Sequence, residues 1–219
     1  MKTSSIRSIA TTFILAASGV SADDENYVGC GSAVKLTHIE SGGKYYLTSD
    51  ERQLQSGSGQ QLVTAVANSE SPKGLWQIRN GSDEPFCEAG WPVKCGQKIR
   101  LTHLQTGSNL HTHGVRSPLS NQHEVTGFGQ DGEGDSGDDW IVECSSGGYR
   151  SKTHLNRDEP FMLKSGATGR YLGASSTVKF NEQNCGRGCP ILNQLEVFGR
   201  NRLDDYSHWR IELGVHLTK

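Results

Sequence analysis

Three tryptophans close three passages of this chain with the same Trp-x-apolar phrase: Trp76-Gln77-Ile78, Trp140-Ile141-Val142 and Trp209-Arg210-Ile211. They stand 64 and 69 residues apart, and what precedes them repeats as well. Lys35-Leu36-Thr37-His38 and Arg100-Leu101-Thr102-His103 open the first two passages, and a weaker Phe161-Met162-Leu163-Lys164 opens the third. A further leucine follows each opening (Leu47, Leu110, Leu172), and then a segment centred on Val63, Val125 or Val197. A unit of roughly 65 residues thus occurs three times, with repeats over about 30–87, 95–144 and 154–213. One such unit alone would leave its apolar face wet, so the three must share a single interior.

Each unit reads as strands. Val34 to Ile39, Leu62 to Val66, Ile99 to Leu104, Glu124 to Phe128 and Trp140 to Glu143 alternate inward and outward residues with the period of two that marks a half-buried strand. Turn formers separate them, among them Ser41-Gly42-Gly43, Ser56-Gly57-Ser58-Gly59 and Thr106-Gly107-Ser108. Four strands in each of three units give about twelve, the count of an all-β trefoil in which one hairpin per unit builds a barrel and another caps it. A propeller needs about four blades or more.

Residues 1–22 have the form of a secretory signal peptide. Lys2 and Arg7 make a basic start, Ile9 to Val20 an apolar run, and Val20-Ser21-Ala22 a small-residue cleavage site. The remaining 23–219 is expected to be one domain without a membrane-spanning helix, since no run reaches the roughly 18 to 20 apolar residues required. Loss of the leader moves the formal charge from -2 to -4, and no cluster of Lys and Arg argues for nucleic acid. The six cysteines of a secreted chain suit disulfides. Cys30-Gly31 and Cys95-Gly96 each lie six residues before the repeated leucine, so equivalent positions should find equivalent partners: Cys30 with Cys87 and Cys95 with Cys144. Cys185 then closes a small ring with Cys189, one arrangement among the 15 that six cysteines permit.

The stretch Ile99-Arg100-Leu101-Thr102-His103-Leu104-Gln105-Thr106-Gly107-Ser108-Asn109-Leu110-His111-Thr112-His113 closely resembles the stromal cell-derived factor 2-like family of MIR-domain proteins. The likeness continues through Ser117-Pro118-Leu119-Ser120 and Glu124-Val125 to Asp138-Asp139-Trp140, and Ser56-Gly57-Ser58-Gly59-Gln60-Gln61 supports it in the first repeat. It implies a β-trefoil of three MIR repeats and residence in the endoplasmic reticulum. It also implies a non-catalytic role in protein quality control, beside a J-domain co-chaperone and the lumenal Hsp70. No cofactor is implied. The third repeat departs from the pattern, carrying Leu172-Gly173-Ala174 in place of a Leu-His-x-His phrase and an insertion of roughly ten residues around Cys185 and Cys189. The chain closes on His216-Leu217-Thr218-Lys219, which is no retrieval tetrapeptide, so retention by a partner or partial secretion is expected.

Residues able to carry chemistry are few. His111 and His113 share a strand face, a geometry that suits a metal if a third ligand converges, but a polar loop edge is the simpler account. The acidic run Asp131 to Asp139 misses the glycine and glutamate positions of a calcium loop and is expected to be a solvated turn, as are the pairs Asp83-Glu84 and Asp204-Asp205. No nucleophile elbow, zinc-protease helix or phosphate loop is present, so no enzyme is expected. Asn80-Gly81-Ser82 is a glycosylation sequon, expected in a polar linker and plausibly occupied. The expected binding rim gathers Ser56, Gly57, Ser58 and Gln60 with His111, His113, Arg116 and Ser117, facing a co-chaperone, an unfolded polypeptide or a glycan. A lectin of the ricin type would carry Gln-x-Trp, which is missing, and the Cys185 to Cys189 ring is the one segment suited to a protease-inhibitor loop.

Overall fold

The computed structural model describes residues 26–55, 57–84, 86–145 and 153–217; the expected leader and Ser56 of the expected rim lie outside them. Twelve strands are present among the described residues: β1 (Ala33–His38), β2 (Tyr45–Gln53), β3 (Gln61–Val66), β4 (Trp76–Asn80), β5 (Lys98–His103), β6 (Asn109–Arg116), β7 (His123–Phe128), β8 (Trp140–Cys144), β9 (Phe161–Ser165), β10 (Tyr171–Lys179), β11 (Leu195–Arg200) and β12 (Trp209–Val215). The duplicated openings fold alike, for β1 and β5 bury the same positions of Ala-Val-Lys-Leu-Thr-His and Lys-Ile-Arg-Leu-Thr-His.

Six strands close on themselves through antiparallel pairs β1–β4, β4–β5, β5–β8, β8–β9, β9–β12 and β12–β1. The other six form three hairpins, β2–β3, β6–β7 and β10–β11, whose second strands also pair mutually, β3–β7, β7–β11 and β11–β3. A barrel with a triangular cap is a β-trefoil. At the barrel's other end the backbones of Val28, Val93 and Leu155 complete a cycle: Val28 N–H donates to Leu155 (2.8 Å), Leu155 to Val93 (2.8 Å) and Val93 to Val28 (2.9 Å). Each of these buried residues lies six positions before its repeat's first core strand residue, Val34, Ile99 or Phe161.

The three indoles occupy corresponding sites. All are fully buried, and each Nε1–H donates to the carbonyl of its repeat's second leucine, Leu47 (3.0 Å), Leu110 (2.8 Å) or Leu172 (3.0 Å). A single turn of 3-10 helix precedes each one: Pro72–Gly74, Ser136–Asp138 and Asp205–Ser207, capped by Ser71, Asp135 and Asp204. Each tryptophan then pairs with the end of the next repeat's opening strand: Trp76 with His103, Trp140 with Ser165, Trp209 with His38. The His38 and His103 rings lie 4.9 and 5.0 Å from their indoles and donate from Nε2 to the carbonyls of Tyr206 and Lys73. Burial keeps both imidazoles below the usual histidine pKa, their hydrogen bonds to those carbonyls offsetting it only in part.

Disulfides join Cys30 to Cys87, Cys95 to Cys144 and Cys185 to Cys189. The first two close loops of 57 and 49 residues, worth about 4 kcal/mol each in chain-entropy terms.

Two sequence expectations need correction. Asn80 is not in a linker: it ends β4, opposite Ile99, and its side-chain oxygen accepts the Cys87 N–H. The acidic run is not a fully solvated turn either, because Asp138 and Asp139 are buried. Asp138 closes a capping box with Asp135, and Asp139 accepts from the Ser82 N–H (2.9 Å), the Ser82 hydroxyl and Arg100 Nε (3.0 Å). Burial works against ionisation of Asp139, but Ser82 and Arg100 outweigh it and hold its pKa below the usual carboxylate value. The run of charges had hidden two structural hubs.

Candidate functional site

The cap is where the predicted rim residues lie; among those described His111 and Ser117 are buried, Gln60 and His113 half-buried, and Gly57, Ser58 and Arg116 exposed. Glu124, the first buried residue of β7, is a carboxylate with almost no exposure. It accepts from the Ser58 N–H (2.8 Å) and hydroxyl (3.2 Å), and His113 Nε2 stands 3.3 Å away. Gly57 has φ +68°, and a Cβ there would meet Glu124 Oε1 at 2.6 Å, so the turn demands glycine both for its conformation and for this close approach. Gln60 accepts from the Thr126 hydroxyl at 2.6 Å. Gly57, Ser58 and His113 are therefore brought together around a carboxylate contributed by the second repeat, with Gln60 beside them on Thr126 of the same strand.

The third repeat does the same for the second. Glu196 on β11 accepts from the Leu119 N–H (2.6 Å), the Ser120 N–H (2.8 Å) and the Ser117 hydroxyl (3.2 Å). Glu124 and Glu196 hold equivalent register positions, immediately before Val125 and Val197, and each ties down the hairpin loop of the preceding repeat. The first repeat has Leu62 at that position. Around it the inserted segment of the third repeat builds a small second core of Leu62, Phe180 and Ile191, against which Leu54, Leu119 and the Cys185–Cys189 bridge pack. A hydrophobic contact thus stands in the third arm where the other two have a carboxylate.

His111 lies apart from His113 in role. It is buried, its ring 4.8 Å from Phe128 and 5.1 Å from His113, and its Nδ1 is 2.9 Å from Asp138 Oδ1 and 3.6 Å from Asp135. These three groups have metal-ligand chemistry and lie within 4.8 Å of one another. Their atoms are nonetheless engaged: Asp138 Oδ2 accepts from Asp135 N–H (2.9 Å) and Asn109 Nδ2 (3.3 Å), and Asp135 Oδ1 accepts from Gly137 N–H (2.7 Å). The set holds the turn before Trp140 in place. Ser117 is buried, whereas Arg116 is exposed and donates to the Asn121 carbonyl (3.1 Å). Beside it, burial keeps the His123 imidazole below its usual pKa, helped by the charges of Arg170 and Arg116.

What the cap does present is a cavity of about 470 Å³ between the three loops, floored by Leu54, Leu62, Pro118, Phe180 and Ile191 and edged by Gln53, Gln55 and Asn184. Its walls come from all three repeats. Sequence reasoning missed it, as it missed Glu124 and Glu196, although the shared Glu-Val phrase before the valines was the available signal.

The MIR domain model matches residues 26–146. The mouse protein stromal cell-derived factor 2-like protein 1 is 40% identical over 199 residues, which covers 91% of this chain and 82% of that one. This chain belongs to the stromal cell-derived factor 2-like family of MIR-domain proteins. The crystal structure of the SDF2-like protein from Arabidopsis thaliana superimposes with a TM-score of 0.76 at 31% identity, covering 88% of this chain and 98% of that one. A MIR-bearing portion of a much larger protein is also similar: dolichyl-phosphate-mannose-protein mannosyltransferase 1 of Candida albicans is 36% identical over 87% of this chain but only 22% of its own length. Among the described residues, no helix of this family member is long and apolar enough to cross a membrane.

Proposed function

We propose that this chain is a non-catalytic interaction module of the secretory pathway, acting in the lumen of the endoplasmic reticulum in protein quality control. There it binds extended segments of unfolded polypeptide beside a J-domain co-chaperone and the lumenal Hsp70. The observation that carries the polypeptide reading is the cavity on the cap. An apolar floor accepts an aliphatic or aromatic side chain, and the side-chain amides of Gln53 and Gln55 at its edge can both donate to and accept from the unpaired backbone of an extended chain. Three disulfides support an oxidising compartment, and membership of the family supports the co-chaperone setting. The polar side chains of the predicted rim are spent on holding the loops, which favours recognition over chemistry.

The test is binding of a permanently unfolded, reduced and carboxymethylated polypeptide, measured by calorimetry, to the wild type and to a Leu54→Ser, Pro118→Ser double variant. Both positions border the cavity without belonging to the main core. Removing this contact surface should weaken binding about tenfold, on the order of 1.4 kcal/mol. Equal affinity of the two proteins, or no binding by either, would refute the assignment.

A further inference from the structure

The inserted segment of the third repeat is tied down unevenly. Backbone bonds close its base: Phe180 N–H donates to the Gln194 carbonyl (3.0 Å), Asn193 N–H to the Phe180 carbonyl (2.9 Å) and Gln194 N–H to the Ile191 carbonyl (3.1 Å). Its first half is a single helical turn, Glu182–Cys185, boxed by Asn181 and Asn184 and continued by Gly186 N–H onto the Glu182 carbonyl (3.1 Å). Beyond that turn, Arg187, Gly188, Cys189 and Pro190 make no hydrogen bond or ion pair among the described residues. The Cys185–Cys189 bond is what fastens this strap to the helical turn.

The other two bridges are placed differently. Cys30 is buried and bonded through its backbone to Trp91 (2.8 Å) and Gly90 (2.9 Å), Cys95 N–H donates to the Thr153 carbonyl (3.0 Å), and Cys144 ends β8 opposite Phe161. They join segments that backbone bonds already fix, across 57 and 49 residues, whereas the third bridge spans only 4. So short a loop takes little entropy from the unfolded chain, and the trefoil does not rest on it. Cys185 and Cys189 are half-buried, but every residue between them is exposed. A Cβ on Gly186 or Gly188 would meet nothing within 4 Å, so open space adjoins the bridge. Exposed disulfides are the exchangeable ones.

We propose that the Cys185–Cys189 bridge is a thiol–disulfide exchange site for a dithiol reductant, and that its opening unfastens a wall of the cap cavity. One thiolate of the dithiol attacks a sulfur of the bridge, and the other sulfur leaves with the bonding pair and takes a proton. The second thiolate of the reductant then displaces the remaining cysteine from the mixed disulfide. The reductant ends as a cyclic disulfide and the protein as two thiols. The wall follows because Cys185, Pro190 and Ile191 all line the cavity of about 470 Å³, and Pro190, with Leu62 and Arg52, also borders a neighbouring depression of about 290 Å³. With the strap untied that partition is lost, and the small core of Leu62, Phe180 and Ile191 loses the bridge packed against it. Release of whatever the cavity holds rests on the polypeptide reading above; the opening of the bridge does not.

The test treats the folded, fully oxidised protein with limiting dithiothreitol, without denaturant, and traps free thiols with iodoacetamide for location by peptide mass spectrometry. Cys185 and Cys189 should be alkylated at least about tenfold faster than the remaining cysteines. Amide hydrogen exchange over residues 180–194 should then quicken about tenfold. A Cys185→Ser, Cys189→Ser double variant should exchange alike, which guards against an effect of the alkyl groups, and should melt close to the wild type. The carboxymethylated polypeptide used above carries no free thiol, and the opened protein should bind it about fivefold more weakly. Reoxidation of untrapped protein with oxidised glutathione should restore the affinity. Earlier opening of Cys30–Cys87 or Cys95–Cys144, or exchange over 180–194 indifferent to the bridge, would overturn the proposal. So would equal affinity of the closed and opened proteins for the polypeptide. If the closed wild type binds no polypeptide, the reading of the cavity's occupant falls, while alkylation order and exchange still judge the bridge.

Discussion

Replacing the three buried tryptophans by phenylalanine, one at a time, tests the architecture at its centre. Each Trp→Phe change deletes an indole N–H and so orphans a leucine carbonyl sealed from water, at about 1 to 3 kcal/mol. It also removes about 40 Å³ of packed volume, which at about 24 cal/mol per Å³ adds roughly 1 kcal/mol if the cavity does not collapse. Trp76→Phe, Trp140→Phe and Trp209→Phe should therefore each cost about 2 to 4 kcal/mol, because the acceptor distances agree (3.0, 2.8 and 3.0 Å) and all three rings are fully enclosed. Urea unfolding followed by far-UV dichroism gives the three values independently of indole fluorescence, with the disulfides kept oxidised. The equality matters more than the size. One variant losing less than about 1 kcal/mol while another loses more than about 3 would mean that the repeats do not present equivalent sites, and the reasoning from symmetry would fail.

Two further outcomes follow from the same structure. His103 is held neutral by burial, so the unfolded chain takes up a proton first as pH falls: stability should be full above about pH 6.5 and decline below it towards the lower folded pKa. His103→Gln should flatten that decline in urea midpoints measured between pH 7 and pH 5. Once the chain is folded the Asn80 sequon should be a poor glycan acceptor, because it ends a barrel strand with its carboxamide oxygen engaged by Cys87 and the Ser82 hydroxyl is bound to Asp139; enzymatic glycan transfer to the purified folded protein as fast as to the reduced, unfolded chain would contradict this.

Much of the fold was legible because duplication writes long-range information into local register. The spacing of Trp76, Trp140 and Trp209 located three equivalent core sites, and the matched Cys-Gly phrases located partners 57 and 49 residues away. The site was legible only in part. His113 and Ser58 meet, but through Glu124, 66 residues from Ser58 in the chain, which only the Glu-Val phrase shared with the third repeat marks as a buried acceptor. Asp138 and Asp139 read as solvated because a run of acids between glycines normally is; their burial depends on Asn109, His111, Ser82 and Arg100 arriving from other strands.

The unbroken ring of six barrel strands has a bearing on aggregation. A sheet with a bare margin recruits extended polypeptide by backbone pairing and becomes a seed for aggregates. Here every one of those six strands has neighbours on both flanks, so the barrel offers an extended chain no free margin to pair with.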